Sequence, residues 1–108
     1  MNKGVLADGA HRFTLRKGTS KVLDVNGGSR ANGANVQLYA WNGSNAQRWK
    51  VSHDATGYVT LTNVGSGKVL DVNGASTANG ANVQQYASNG SYAQKWIAVS
   101  NADGSVTL

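Results

Sequence analysis

The sequence contains no glutamate, no cysteine and no proline. Each absence removes a class of explanation. Without glutamate the side-chain carboxylates are five aspartates, Asp8, Asp24, Asp54, Asp71 and Asp103. A glycosidase needs two carboxylates flanking one bond, and no pair here has that arrangement, so a catalytic function is not expected. Without cysteine there is neither a disulfide staple nor a thiol nucleophile, and the core must hold the fold unaided. Histidine is scarce: His11 and His53 stand alone, without metal-ligand spacing or a nucleophile motif. No metal or cofactor is therefore expected. No apolar run approaches a membrane span. The stretch Met1–Ala10 is too short in apolar residues for a signal peptide, which implies either an intracellular protein or a module of a longer chain. The lack of proline beside 14 glycines points away from a helical bundle and towards short strands joined by tight turns.

What the sequence does have is a repeat. Lys21-Val-Leu-Asp-Val-Asn-Gly27 returns as Lys68–Gly74, Ala31-Asn-Gly-Ala-Asn-Val-Gln37 as Ala78–Gln84, and Gln47-Arg-Trp49 as Gln94-Lys-Trp96. All are offset by 47 positions (68 − 21), without a gap, and 23 of the 29 positions from Lys21 to Trp49 are identical in the second copy. A fixed period of this size marks a repeat architecture. The six differences are Gly28/Ala75, Arg30/Thr77, Leu38/Gln85, Trp41/Ser88, Asn45/Tyr92 and Arg48/Lys95.

Alternation of apolar and polar residues predicts four strands per copy. They are Phe13–Arg16, Lys21–Val25, Asn35–Tyr39 and Gln47–Val51, then Val59–Thr62, Lys68–Val72, Asn82–Tyr86 and Gln94–Ala98. The turn after the first strand reads as one residue shorter in the first copy, at Gly18-Thr-Ser20. Asn-Gly pairs at 26, 32, 42, 73, 79 and 89 supply the joints, since both residues tolerate the positive φ of tight turns. No helical period is present. The expected fold is all-β, with repeat units at about 12–58 and 59–105 and a partial strand at 106–108, in one domain spanning 1–108. Within the strands, Leu23 and Val25, and Val36 and Leu38, are expected to face inward. Asp24, Gln37 and Tyr39 then turn out of the core, as do Asp71, Gln84 and Tyr86. Gln85 is expected to be a weak core position. Exchanging both Asp24 and Asp71 for Asn should on this reading abolish binding and spare the fold.

The net charge of +5 is uneven. Residues 1–50 carry eight basic and two acidic side chains, or +6, and residues 51–108 two and three, or −1. A basic half is compatible with nucleic acid or another anionic polymer. The basic residues form no run, however, so a solvated surface is preferred and nucleic acid is not expected as a partner.

The Leu-Asp-Val strand, the Asn-Gly…Val-Gln-(Leu/Gln)-Tyr segment and the closing Gln-x-Trp, in that order and twice, resemble the ricin-type β-trefoil lectins. These are sugar-binding modules of three pseudo-equivalent foils. The resemblance covers nearly everything from Phe13 onward. It implies a β-trefoil built from four-stranded repeats of 47 residues, about two of three foils and so incomplete in one chain. It implies glycans as ligands, of galactose type or polysaccharide, and a secreted or extracellular parent protein. Carried over residue by residue, the sugar sites are Asp24, Gln37, Tyr39, Asn45 and Gln47 in the first copy, and Asp71, Gln84, Tyr86, Asn89 and Gln94 in the second. The family's galactose sites place an Asn before Gln-x-Trp; this chain has Ala46 and Ala93, with Asn42, Asn45 and Asn89 as the nearest substitutes.

The chemistry of those residues is independent of the family. A carboxylate offers acceptors to vicinal hydroxyls, a tyrosine ring offers an apolar plate to a pyranose, and an amide both donates and accepts. Plainer roles stand beside these. Asp24 can cap the Asn26-Gly27 turn, Tyr39 can be strand packing, and Gln47 and Trp49 can be structural. Trp41 is either an extra platform for the first site or a surface residue. The near-identity of the copies predicts two similar weak sites. A two-foil chain is further expected to complete itself by homo-oligomerisation. A degraded, purely structural trefoil fragment is the competing reading.

Overall fold

The computed structural model describes residues 6–16 and 20–108; the turn expected at Gly18–Ser20 lies mostly outside them. Among the described residues there are nine strands: β1 (Gly9–His11), β2 (Lys21–Val25), β3 (Val36–Ala40), β4 (Trp49–His53), β5 (Val59–Asn63), β6 (Val69–Val72), β7 (Val83–Tyr86), β8 (Val99–Ser100) and β9 (Val106–Thr107). The helical segments among the described residues are single 3-10 turns, at Asn26–Gly28, Asn45–Gln47, Asn73–Ala75 and Tyr92–Gln94. The chain is all-β. One sheet has the order β1-β4-β5-β6-β7, and two hairpins, β2-β3 and β8-β9, stand beside it. No helix among the described residues is long and apolar enough to cross a membrane.

The core is assembled from both copies. Val25, Trp49, Val51, Val59, Leu61, Leu70 and Ala98 form one buried cluster, with Phe13, Leu23, Val36 and Trp96 packed against it. Each Gln-x-Trp indole donates its N–H back into its own copy, Trp49 Nε1 to Leu23 O and Trp96 Nε1 to Leu70 O, both at 3.1 Å. A buried indole thus gains area and satisfies its polar atom together.

Several boundaries differ from the sequence reading. Gln47 and Gln94 are not in strands; they close 3-10 turns, and the regular strand begins at Trp49. The strand expected at Phe13–Arg16 is reduced to a single bridge, Thr14 to Val22. The Leu15 N–H bonds Lys21 O as the Asn63 N–H bonds Lys68 O. Leu15 thus stands where Asn63 does, 48 positions on (63 − 15) and not 47. The reason is packing: this register puts Phe13, not Leu15, against the core cluster, and Leu15 is left exposed.

The inward and outward faces are also revised. Val22 and Asp24 are buried along with Val25, whereas Leu38 is 50% exposed. Gln85, which occupies Leu38's place in the second copy, is fully buried. Its Nε2 donates to Ser29 O and Ala31 O (both 2.9 Å), and its Oε1 accepts from Ser66 Oγ (2.7 Å). Its backbone is held as well, by Gly33 N–H to Gln85 O (2.8 Å) and Gln85 N–H to Ala34 O (3.0 Å). Asn82 Nδ2 donates to Asn35 Oδ1 (2.9 Å) alongside. Gln85 is therefore the centre of the seam between the copies, where a polar residue with every group bonded is tolerated.

Turn chemistry agrees with the Asn-Gly reading. Gly27 and Gly74 hold φ of 64° and 65°. The following position is left-handed too, and Ala75 occupies it at φ 52° where the first copy has Gly28. The link between copies turns at Asp54. Burial pushes its carboxyl up, but the Thr56 hydroxyl and N–H, the Tyr58 N–H and the charge of Lys95 outweigh it and hold it below the ordinary carboxylate value.

Candidate functional site

Pairing of β2 with β3 sets Asp24 directly across from Gln37, with Val22 across from Tyr39. The 3-10 turn at Asn45–Gln47 then folds over this hairpin and brings Gln47 to the same carboxylate. Asp24 Oδ1 accepts from Gln37 Nε2 (3.1 Å) and Oδ2 from Gln47 Nε2 (2.9 Å). Gln47 is fully buried and its amide is fully engaged: Nε2 also donates to Ala40 O (2.8 Å), and Oε1 accepts the Asn42 N–H (2.8 Å). Its role is to position the carboxylate and the 40–42 turn. The second copy repeats the network. Asp71 accepts from Gln84 (3.0 Å) and Gln94 (2.9 Å), and Gln94 bonds Ala87 O (3.0 Å) and the Asn89 N–H (2.9 Å).

Asp24 and Asp71, expected outside the core, are each only 5% exposed. The carboxylates are buried because two amides supply their hydrogen bonds, the condition on which a polar group leaves water. Each oxygen keeps a lone pair for a ligand. Tyr39 (53% exposed) and Tyr86 (40%) present free ring surface. Asn89 serves its own turn, its Oδ1 accepting the Ser91 N–H; Asn42 does the same with Ser44. Gln84 is buried beneath the 33–35 loop of the first copy, while Gln37 is only partly buried.

In the first copy these residues border an open hollow of about 650 Å³, lined by Asp24, Gln37, Tyr39 and Asn45. Asn42, named from the sequence as a substitute for the family's Asn, lines it too, as do residues that the motif alone does not indicate: Asn26, Arg30 and, from the second copy, Asn63 and Gly65. Asn63 is held there by its own bonds, from Nδ2 to Ala46 O and from the Gly65 N–H to Oδ1. Of these, Arg30 carried a sequence signal, because Thr77 replaces it in the second copy. Trp41 does not line this hollow; Arg12 and Arg48 lie over its ring, and with Ala10 and His11 they border a separate one. Among the described residues no group of three or more His, Cys, Asp or Glu could hold a metal. His53 pairs with Asp8, and His11 bonds Ala7 O.

Comparison with known proteins agrees with the fold. No curated protein sequence matches the chain. A designed three-fold symmetric protein, ThreeFoil, is 41% identical with a TM-score of 0.85, over 90% of this chain and 69% of its own. An exo-beta-1,3-galactanase from Clostridium thermocellum is 36% identical with a TM-score of 0.81, over 92% of this chain but 21% of its own. The Rhizoctonia solani agglutinin is 25% identical with a TM-score of 0.52, over 84% and 94%. The model of the ricin-type beta-trefoil lectin domain-like family matches residues 5–86 and again 45–108. With both copies inside those matches, the chain belongs to the ricin-type beta-trefoil lectin domain-like family.

Proposed function

We propose that the chain is a non-catalytic carbohydrate-binding module, and that its principal site is the hollow of the first copy. The observation that carries this is the exposed Tyr39 ring beside a carboxylate held by two amides, inside a concave space of mixed polar and apolar surface. A pyranose stacks its C–H face on Tyr39 while its hydroxyls reach Asp24, the Gln37 oxygen and Asn45. Asp71, Gln84 and Tyr86 form the weaker site, since Gln84 is covered where Gln37 is only partly buried. Galactosides are the first ligands to test, because the similar galactanase acts on a beta-1,3-galactan.

Calorimetry with galactose and a β-1,3-linked galactobiose, with glucose as comparison, tests the reading. Tyr39→Ala should weaken binding at least tenfold, the loss of a stacking contact of about 1.5 kcal/mol, with the unfolding transition little changed. Heat from none of the sugars, or a Tyr39→Ala variant that binds as the parent does, would sink it.

A second reading, self-assembly, is favoured by the seam. The groups that meet there, the 29–35 loop and Gln85, have counterparts one period away in the 76–82 loop and Leu38. Residues 76–80 are exposed and Leu38 is half exposed. In a three-fold arrangement like that of ThreeFoil, a rigid second copy placed on this edge would lay its other repeat over an occupied place. Copies must therefore exchange repeats, a low-cost route to oligomers. Sedimentation should give a mass above that of the monomer, reduced to monomer by Leu38→Asp; a parent chain that stays monomeric at every concentration refutes the exchange.

A further inference from the structure

Three of the six positions at which the copies differ, Gly28, Arg30 and Asn45, line the hollow around Tyr39. Arg30 is the one that changes its charge, since Thr77 stands in its place in the second copy. Its backbone is fixed from the other repeat. Gln85 Nε2 donates to the carbonyls on either side of it, Ser29 O and Ala31 O, each at 2.9 Å. The Ala31 N–H also donates to Ser29 Oγ (3.1 Å). The matching loop of the second copy, residues 76–80, is exposed and has no such clamp among the described residues. The Arg30 side chain itself is exposed. Among the described residues no hydrogen bond, ion pair or ring contact engages it.

Asp24, on the same hollow, is the opposite case. It is 5% exposed, and each of its oxygens already accepts an amide N–H. An ionised carboxylate only accepts hydrogen bonds and a guanidinium only donates them. The hollow therefore has an acceptor pole at Asp24, suited to sugar hydroxyls, and a donor pole at Arg30, suited to an oxyanion. The Asp24 charge is answered from within the chain, and that of Arg30 is not. The clamped backbone lowers the ordering cost of meeting a ligand there. The stacking face is open too, because among the described residues no cation lies over the Tyr39 ring.

We propose that Arg30 makes the first hollow selective for an acidic pyranose. The carboxylate or sulfate of the sugar lies on the guanidinium, and its ring lies on Tyr39. This rests on the reading of that hollow as the sugar site and adds the class of sugar it takes. The second site, with Thr77, has no such preference.

The test is calorimetry on the full chain with galacturonate and galactose 6-sulfate, against galactose, from which both differ at C6 alone. At low salt the acidic sugars should bind about fivefold more tightly than galactose, the scale of one exposed charge pair. Added salt should shrink that margin. Arg30→Thr puts the second copy's residue at an exposed position; it should abolish the margin and leave galactose binding unchanged. Lys50→Thr removes the same charge from an exposed strand position outside the hollow, and should keep the margin. Equal binding of acidic and neutral sugars by the parent overturns the proposal. So does a margin that survives Arg30→Thr, or one lost equally in Lys50→Thr. In those results galactose still binds and Tyr39→Ala still weakens it, so the sugar site stands without its selectivity. Heat from none of the sugars removes the site and the proposal together.

Discussion

Replacing Asp24 and Asp71 together by Asn should lower the unfolding free energy by about 3–6 kcal/mol, as well as abolish binding around Tyr39. Each carboxylate accepts from two glutamine Nε2 groups, Gln37 and Gln47 in one copy and Gln84 and Gln94 in the other. An Asn offers one oxygen and one NH2, so one glutamine donor at each site would face another donor. Losing a bond to a charged acceptor and stranding a buried amide costs about 1.5–3 kcal/mol per site. The two networks share no partner, so the costs should add. The outcome reverses the expectation drawn from strand alternation, that this double variant would spare the fold. Urea unfolding decides it: a midpoint at the parent value would mean that the glutamines do not hold the loops through the carboxylate. Loss of sugar binding in this variant therefore says little by itself, which is why the exposed Tyr39 is the cleaner probe.

Trp49→Ala should cost about 3–5 kcal/mol, a large share of the 5–15 kcal/mol that holds a typical domain together. Trp49 is fully buried in the cluster drawn from both copies and its indole N–H is bonded. Trp96→Ala, with the same indole bond, should cost clearly less, because Trp96 is only partly buried. Thermal and urea unfolding of both variants measures the gap. Equal losses would mean that the core is divided evenly between copies instead of being centred on Trp49.

The period, the all-β class and most strands are legible in the sequence because they rest on local rules: alternation, Asn-Gly turns and the offset of 47. What is not legible depends on partners far along the chain. Asp24 reads as outward-facing because its neighbours in β2 are apolar; it is buried because glutamines 13 and 23 positions away reach it. Gln47 reads as part of a strand because it precedes Trp49, yet its amide is spent closing a turn. Leu38 and Gln85 share a place in the repeat and differ in burial because only Gln85 has the other copy's loop upon it. The positions where the copies disagree were the available signal. Leu38/Gln85, Trp41/Ser88 and Arg48/Lys95 all fall where the two copies have different surroundings, whereas Arg12 and Asn63 lie outside the matched stretch and gave none.

The bond from Asn82 to Asn35 joins one position to its own duplicate. Such a contact restricts which side chains a duplicated chain can carry there. An Asp or a Lys at that position would meet its own likeness and repel it, and a valine would leave nothing to exchange. An amide is self-complementary: it gives a proton on one side and takes one on the other, so each copy can greet the next without the two having to diverge. Identity between copies is thus compatible with a directional joint, and a change in either copy at this place breaks the bond for both.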